Sequence, residues 1–383
     1  MTRPDADAIP AGRRPSVLVN IQALRAFAAL LVVFVHLKLM AVRSGLATTS
    51  MDFGNAGVDV FFVISGVIMV FSTERRETTA GNFLAHRFAR IAPFYWLMTF
   101  VMFAIALAAP QLMQSTRATL PDLLRSLAFI AYQRPNGPIE PIVFVGWSLN
   151  YEAAFYLLFG LTLLIKPRGL GLATCLGVLI LVAAYGSFGH PRNPIVGFYC
   201  YFIILEFGAG VVIGWVLLRL GHPEPDAPRP WATAAVAALA ALALLGGYFV
   251  LPQVDRVVIS GLPAIVLVAA AIRLEQHGLR LTWPLAKRLG DASYAIYLTH
   301  FFVTQAVTRA AARLPVANTL IFSGLVILCL VLSCLLGLIV HDRVEAPLTR
   351  LVTRWMGLSR PGDRRKAIEP SLATALRGAA PPP

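Results

Sequence analysis

The sequence predicts an all-α fold: a polytopic integral membrane bundle of about ten transmembrane helices with both termini cytoplasmic. Three observations predict it. Of 383 residues 57% are hydrophobic and 14% charged, whereas soluble domains carry about 25% charged residues. The apolar residues fall in long runs, and the mean hydropathy is +0.71. The basic excess, 33 Lys+Arg against 19 Asp+Glu, gathers in alternate loops. A soluble enzyme, a disordered chain and a disulfide scaffold are excluded. The net charge of +14 gives no nucleic-acid platform, because the positives are spread over short loops.

A bilayer core of about 30 Å takes about 20 helical residues. On that ruler ten spans follow in order, at 20–42, 57–73, 88–109, 147–165, 170–187, 196–218, 231–250, 255–272, 292–312 and 317–340. The eighth is the weakest, being short and holding Pro263. The stretch from Leu120 to Tyr132 is too short to cross and carries Arg125, so it reads as interfacial or re-entrant. The first apolar run is too long for a cleavable signal peptide.

The positive-inside rule orients these spans. Arg75, Arg76, Arg87 and Arg90 lie between spans two and three, and Arg273, Arg280, Lys287 and Arg288 between eight and nine. Arg343, Arg350, Arg354, Arg360, Arg364, Arg365, Lys366 and Arg377 follow span ten. Residues 1–16 and 357–383, rich in Pro, Arg and small residues, are expected to be disordered cytoplasmic tails around a transmembrane domain at 17–356. Cys175, Cys200, Cys329 and Cys334 sit in apolar segments without metal-ligand spacing and read as packing residues; no metal is expected.

Ionisable groups inside spans are costly and mark function. Span one carries Arg25 and His36. Eleven residues at about 100° each return to within about 20°, so both share one face, separated by roughly 16 Å of rise. Either they form a functional pair, or Arg25 is a snorkelling anchor and His36 a packing residue. Span two opens GVDVFFVISG, with Asp59 at its outer edge, favoured as a helix cap or orienting group over a member of the polar cluster. Ser65 lies near mid-span.

Arg87 and Arg90 open span three a turn apart. Flanking charge explains them, but paired forked guanidiniums also suit a polyphosphate. Span four begins GWSLNYE, putting Ser148, Glu152 and Tyr156 on one face, with Glu152 at the depth of His36, where an imidazole makes a good partner. Glu206 in span six is a further buried carboxylate, and Gly210-x-x-x-Gly214 reads as close helix packing. In span nine Ser293, Tyr297, His300 and Thr304 form an inward polar stripe that suits a cavity lining.

These motifs resemble the membrane acyltransferase family 3, in particular its exopolysaccharide O-acetyltransferase-like branch. They are Arg25-x10-His36, GVDVFFVISG at 57–66, RFAR at 87–90, GWSLNYE at 146–152, LGDASYAIYLTH at 289–300 and Glu345-Ala346-Pro347. They cover residues 20–347 in the family's order. The resemblance implies an O-acyltransferase in the bacterial inner (cell) membrane, moving acetyl from acetyl-coenzyme A to exported polysaccharide or a lipid-linked oligosaccharide beside polysaccharide assembly machinery. It implies His36 as the essential histidine, with Arg25 as its first-span partner. It also places Arg87 and Arg90 on the coenzyme side and makes Glu152 the recurring acid. Some members add an extracytoplasmic esterase-like domain, which is not expected here.

On that reading His36 is the general base and Glu152 holds its tautomer, with an acetyl-histidine intermediate as the variant. Ser65, Ser148 and Asn150 are candidate oxyanion donors, and Tyr297, His300, Asp59 and Glu206 support the cavity. The competing class is a transporter or flippase of a glycan or lipid-linked intermediate, which buried carboxylates and histidines would also suit. No matching interrupted spans in two halves favour it.

Overall fold

The computed structural model describes residues 18–46, 51–74, 78–112, 118–135, 137–220, 230–314 and 318–358. The expected tail at 1–16, the C-terminal tail beyond Leu358, and Arg75, Arg76, Arg360, Arg364, Arg365, Lys366 and Arg377 lie outside the described residues. Among the described residues there is no named strand, and one isolated bridge joins Gln133 to Ile139.

In chain order the helices are α1 (Val19–Val35), α2 (Lys38–Arg43), α3 (Ala56–Glu74), α4 (Ala80–Ala108), α5 (Leu120–Leu127), α6 (Trp147–Thr162), α7 (Arg168–Phe188) and α8 (Pro194–Tyr199). They continue with α9 (Ile204–Leu220), α10 (Pro230–Val250), α11 (Leu262–Gln276), α12 (Pro284–Asp291), α13 (Ser293–Ala310), α14 (Thr319–Val340) and α15 (Ala346–Trp355). Each expected span has its helix. Among the described residues, seven helical segments are long and apolar enough to cross a membrane.

The other three expected spans are α1, α6 and α13. The first two are short, at 17 and 16 residues. All three are polar within: α1 carries Arg25 and ends at His36, α6 carries Ser148, Asn150 and Glu152, and α13 carries Ser293, Thr299, His300 and Thr304. Such helices are tolerated where neighbours cover them. Their polar residues are the ones that build the site.

Local deviations from the expected spans have local causes. The first span breaks at His36, where the backbone tightens into i→i−3 bonds from His36 to Val33 and Leu37 to Phe34. His36 thus caps α1 rather than sitting inside a helix. Span six breaks between α8 and α9, and Pro194 begins α8 behind an Asn193 cap whose side chain accepts from Ile195 N. Ahead of α11 the chain widens into a π-turn over Val257–Gly261. Pro263 in the first turn of α11 supplies no N–H to the carbonyl four residues back, which lies in that turn.

α4 starts earlier than expected, at a Thr79 cap that accepts from Asn82 N. Its 29 residues span about 44 Å, some 14 Å more than the hydrocarbon core. Arg87 and Arg90 therefore lie inside a continuous helix, in its second and third turns, and not at its opening. Within the segment at 120–132, expected to be interfacial or re-entrant, residues Leu120–Leu127 form the short helix α5, capped by Thr119.

α3 is the central helix. Of its apolar stretch 78% is buried, against 11% in α10 and 17% in α14, which stand at the periphery. It packs against α9 and α1, and glycines set the separation. A Cβ on Gly66 would stand 2.2 Å from the Phe207 carbonyl, and one on Gly210 2.1 Å from that of Val63. Gly210 and Gly214 both face α3, as their spacing suggested. All four cysteines are free, three of them buried.

Candidate functional site

Polar side chains from α1, α3, α4, α6 and α13 form two groups inside the bundle. The first group is cationic. Arg90 Nη1 donates to Glu345 Oε1 at 2.7 Å, and His341 Nδ1 lies 2.8 Å from the other oxygen. Glu345 is fully buried, so the pair anchors the chain after α14 to α4. Arg90 also lies 5.9 Å over the Tyr294 ring. Arg87 donates to Ser72 Oγ at 3.1 Å and lies 5.5 Å over Phe83 and 5.9 Å over Tyr156. Its Nε is buried without a partner. Arg25 donates to Gln22 of its own helix at 3.2 Å and shares its electrostatic surroundings with Arg90, Glu345, Asp291 and Glu152.

Of the two sequence-marked arginines on α4, Arg87 has no carboxylate partner among the described residues, while Arg90 is committed to Glu345. Sequence reasoning quoted Glu345 within a motif but gave it no role. The signal was an acidic residue just past the longest apolar run, in a segment otherwise dominated by basic residues.

Glu152 belongs to this end. One of its oxygens accepts from Ser65 Oγ at 3.2 Å and from the Tyr156 hydroxyl. The expected pairing of Glu152 with His36 is corrected: Glu152 makes no hydrogen bond to His36. Ser65, Ser148 and Tyr297 are likewise engaged. The Tyr297 hydroxyl donates to Val145 O at 2.6 Å, so the 2.8 Å contact with Ser148 Oγ has Ser148 as donor.

The second group holds both intramembrane histidines. The half-buried His36 ring lies 4.9 Å from that of His300 and 5.0 Å, edge to face, from Phe144. His300 is fully buried, its Nδ1 is 3.1 Å from Ile296 O, and its Nε2 has no partner. The stripe read on span nine does turn inward: Ser293, Tyr297, His300 and Thr304 are all buried. Asn150 is 1% exposed with neither amide atom bonded.

Asp59 and Glu206 lie elsewhere. Asp59 is not a cap: its Oδ2 accepts from Arg256 Nη2 at 2.7 Å and Nε at 3.1 Å. Arg256 also donates to Asn55 O at 2.9 Å and sits 5.7 Å over Trp147. Glu206 is buried beside Gly261, where a Cβ would come within 2.7 Å of its Oε1. Sequence reasoning missed Arg256; its signal was a basic residue within the eighth expected span, at 255–272. Among the described residues no group of three or more His, Cys, Asp or Glu could hold a metal ion.

A sequence profile described as an acyltransferase domain matches residues 18–338. The chain is similar to the exopolysaccharide production protein ExoZ of Rhizobium meliloti (strain 1021), with 35% identity over 300 residues, 78% of this chain and 90% of that protein. It is similar to the acyltransferase MdmB of Streptomyces mycarofaciens, with 28% identity covering 94% of this chain and 98% of that one. It is also similar to the putative peptidoglycan O-acetyltransferase YrhL of Bacillus subtilis (strain 168), with 24% identity covering 86% of this chain and 54% of that one. No solved structure shows a significant match.

Proposed function

The chain belongs to the acyltransferase domain family, and from that premise we propose a membrane O-acyltransferase that moves acetyl from cytoplasmic acetyl-coenzyme A to a sugar hydroxyl. The acceptor is an exported or cell-surface polysaccharide or its lipid-linked precursor, in keeping with the names of two relatives, an exopolysaccharide production protein and a putative peptidoglycan O-acetyltransferase. The protein is a multi-pass membrane protein, and its proposed home is the bacterial inner membrane with both termini cytoplasmic.

The observation that carries this reading is the division of the interior into a cationic end and a histidine end along one helix, α1. Arg87 and Arg25, with Arg90 beside them, bind the coenzyme's phosphates at the cytoplasmic mouth, and the pantetheine arm carries the thioester toward His36. A sugar hydroxyl is a weak nucleophile at neutral pH. His36 takes its proton as the oxygen attacks the thioester carbonyl. The tetrahedral intermediate collapses, the C–S bond breaks, and the coenzyme thiolate takes the proton back from the imidazolium. Asn150, whose amide donor has no protein acceptor, is the favoured oxyanion donor over the engaged Ser65 and Ser148. Glu152 acts at the other end, beside Arg87 and Arg25.

Arg87 gives the test. Arg87→Ala removes a charged donor with no carboxylate partner among the described residues, so acetyl-coenzyme A binding weakens about tenfold or more, with the loss growing as salt is lowered. Titration of the purified protein by calorimetry reads it. An unchanged affinity would reduce Arg87 to a topology signal.

A further inference from the structure

We infer that His300 is a positioning residue, its Nε2 accepting an N–H from His36 and so fixing which His36 nitrogen is left free to take a proton. The inference rests on His36 being the base. It assigns to a neutral imidazole the task that sequence reasoning gave to Glu152.

The tautomer of His300 follows from its surroundings. A neutral imidazole has one donor and one acceptor nitrogen. Nδ1 lies 3.1 Å from the Ile296 carbonyl, which can only accept, so Nδ1 holds the proton. Nε2 is then a lone-pair acceptor. It is buried in a fully covered residue with no partner, and an orphaned buried acceptor is costly. The nearest aromatic ring to His300 is that of His36, 4.9 Å away centroid to centroid and tilted by 36°. The other aromatic neighbours of His300 are Tyr297, whose hydroxyl is already given to Val145 O, and Phe301, which offers no N–H or O–H.

His36 can supply the missing donor. It stands at the break between α1 and α2, half-buried, and among the described residues neither ring nitrogen makes a hydrogen bond. A small rotation of its ring brings an N–H onto His300 Nε2. The remaining nitrogen then carries a lone pair and is the base. When that nitrogen takes the hydroxyl proton, the imidazolium keeps its bond to a neutral acceptor, and no proton need leave His36 before the thiolate reclaims it. Phe144, edge-on at 5.0 Å, limits the ring's other orientations.

Three substitutions separate this role from packing. His300→Phe fills the volume and removes the acceptor, so kcat falls on the order of 10²-fold with the KM for acetyl-coenzyme A little changed. His300→Gln places an amide oxygen near the Nε2 position and is expected to return kcat to within about tenfold of wild type, whereas His300→Asn reaches only the Nδ1 position and stays low. Variants are compared at equal membrane accumulation and equal melting temperature in detergent. Equal activity of the Gln and Asn variants, or a Phe variant with unaltered kcat, overturns the inference. The parent reading fails separately: activity retained in His36→Ala removes the base itself, whereas an inactive His36→Ala beside an unaffected His300→Phe leaves the base standing and removes only its partner.

Discussion

His36→Ala is expected to lower acetyl transfer by the purified protein about 10²–10⁴-fold, the range by which a positioned base accelerates such a step. The variant should accumulate in the membrane, because His36 is half-buried at a helix end, its ring makes no hydrogen bond among the described residues, and alanine keeps the backbone bond to Val33. Acetyl-coenzyme A should still bind, since the cationic end is built from Arg25, Arg87 and Arg90, roughly 16 Å along α1 from the histidine. This combination, intact binding with lost turnover, distinguishes a base from a scaffold residue. Transfer assays with radiolabelled coenzyme, alongside calorimetric titration, check both halves.

The second large effect is expected at the α3–α9 contact. A methyl group on Gly210 would meet the Val63 carbonyl at 2.1 Å, and one on Gly66 would meet the Phe207 carbonyl at 2.2 Å and the Gly210 Cα at 2.9 Å. These are backbone atoms, so no rotamer change relieves the clash and the helices must separate. Overpacking a core costs about 1–3 kcal/mol and occasionally more. In the most buried helix of the bundle the upper part of that range is expected. Gly66→Ala and Gly210→Ala should therefore melt at clearly lower temperature in detergent and accumulate poorly. Gly177→Ala and Gly246→Ala, with nothing within 4 Å of the added carbon, should be neutral. Gly66 adjoins Ser65, a donor to Glu152, so displacing α3 also disturbs the cationic end. A Gly210→Ala protein as stable as wild type would refute this account of the packing.

Much of the architecture was legible in the sequence because the bilayer imposes a length on apolar runs, and each of the ten runs has a helix. What hydropathy could not show was the break at His36, where neither Pro nor Gly intervenes, or the early start of α4 at Thr79. The polar residues were found for a physical reason too: an ionisable group within an apolar helix is conspicuous. Their pairing was not legible. Depth along the helices placed Glu152 level with His36, but depth says nothing about which face looks at which neighbour. Packing turned Glu152 to Ser65 and Tyr156, and brought His300 to His36. Asp59 met Arg256 for the same reason, across 197 residues of chain.

The central claim is that the protein transfers an acyl group rather than moving a glycan across the membrane. The most direct measurement is proton NMR of the exported glycan from a strain lacking this chain, complemented with wild type or with His36→Ala. The predicted result is a polymer still exported in normal amount but without O-acetyl signals, which return with wild type and not with the variant. A sharply reduced yield of exported polymer that still carries its full O-acetyl signals would contradict the claim and point to transport.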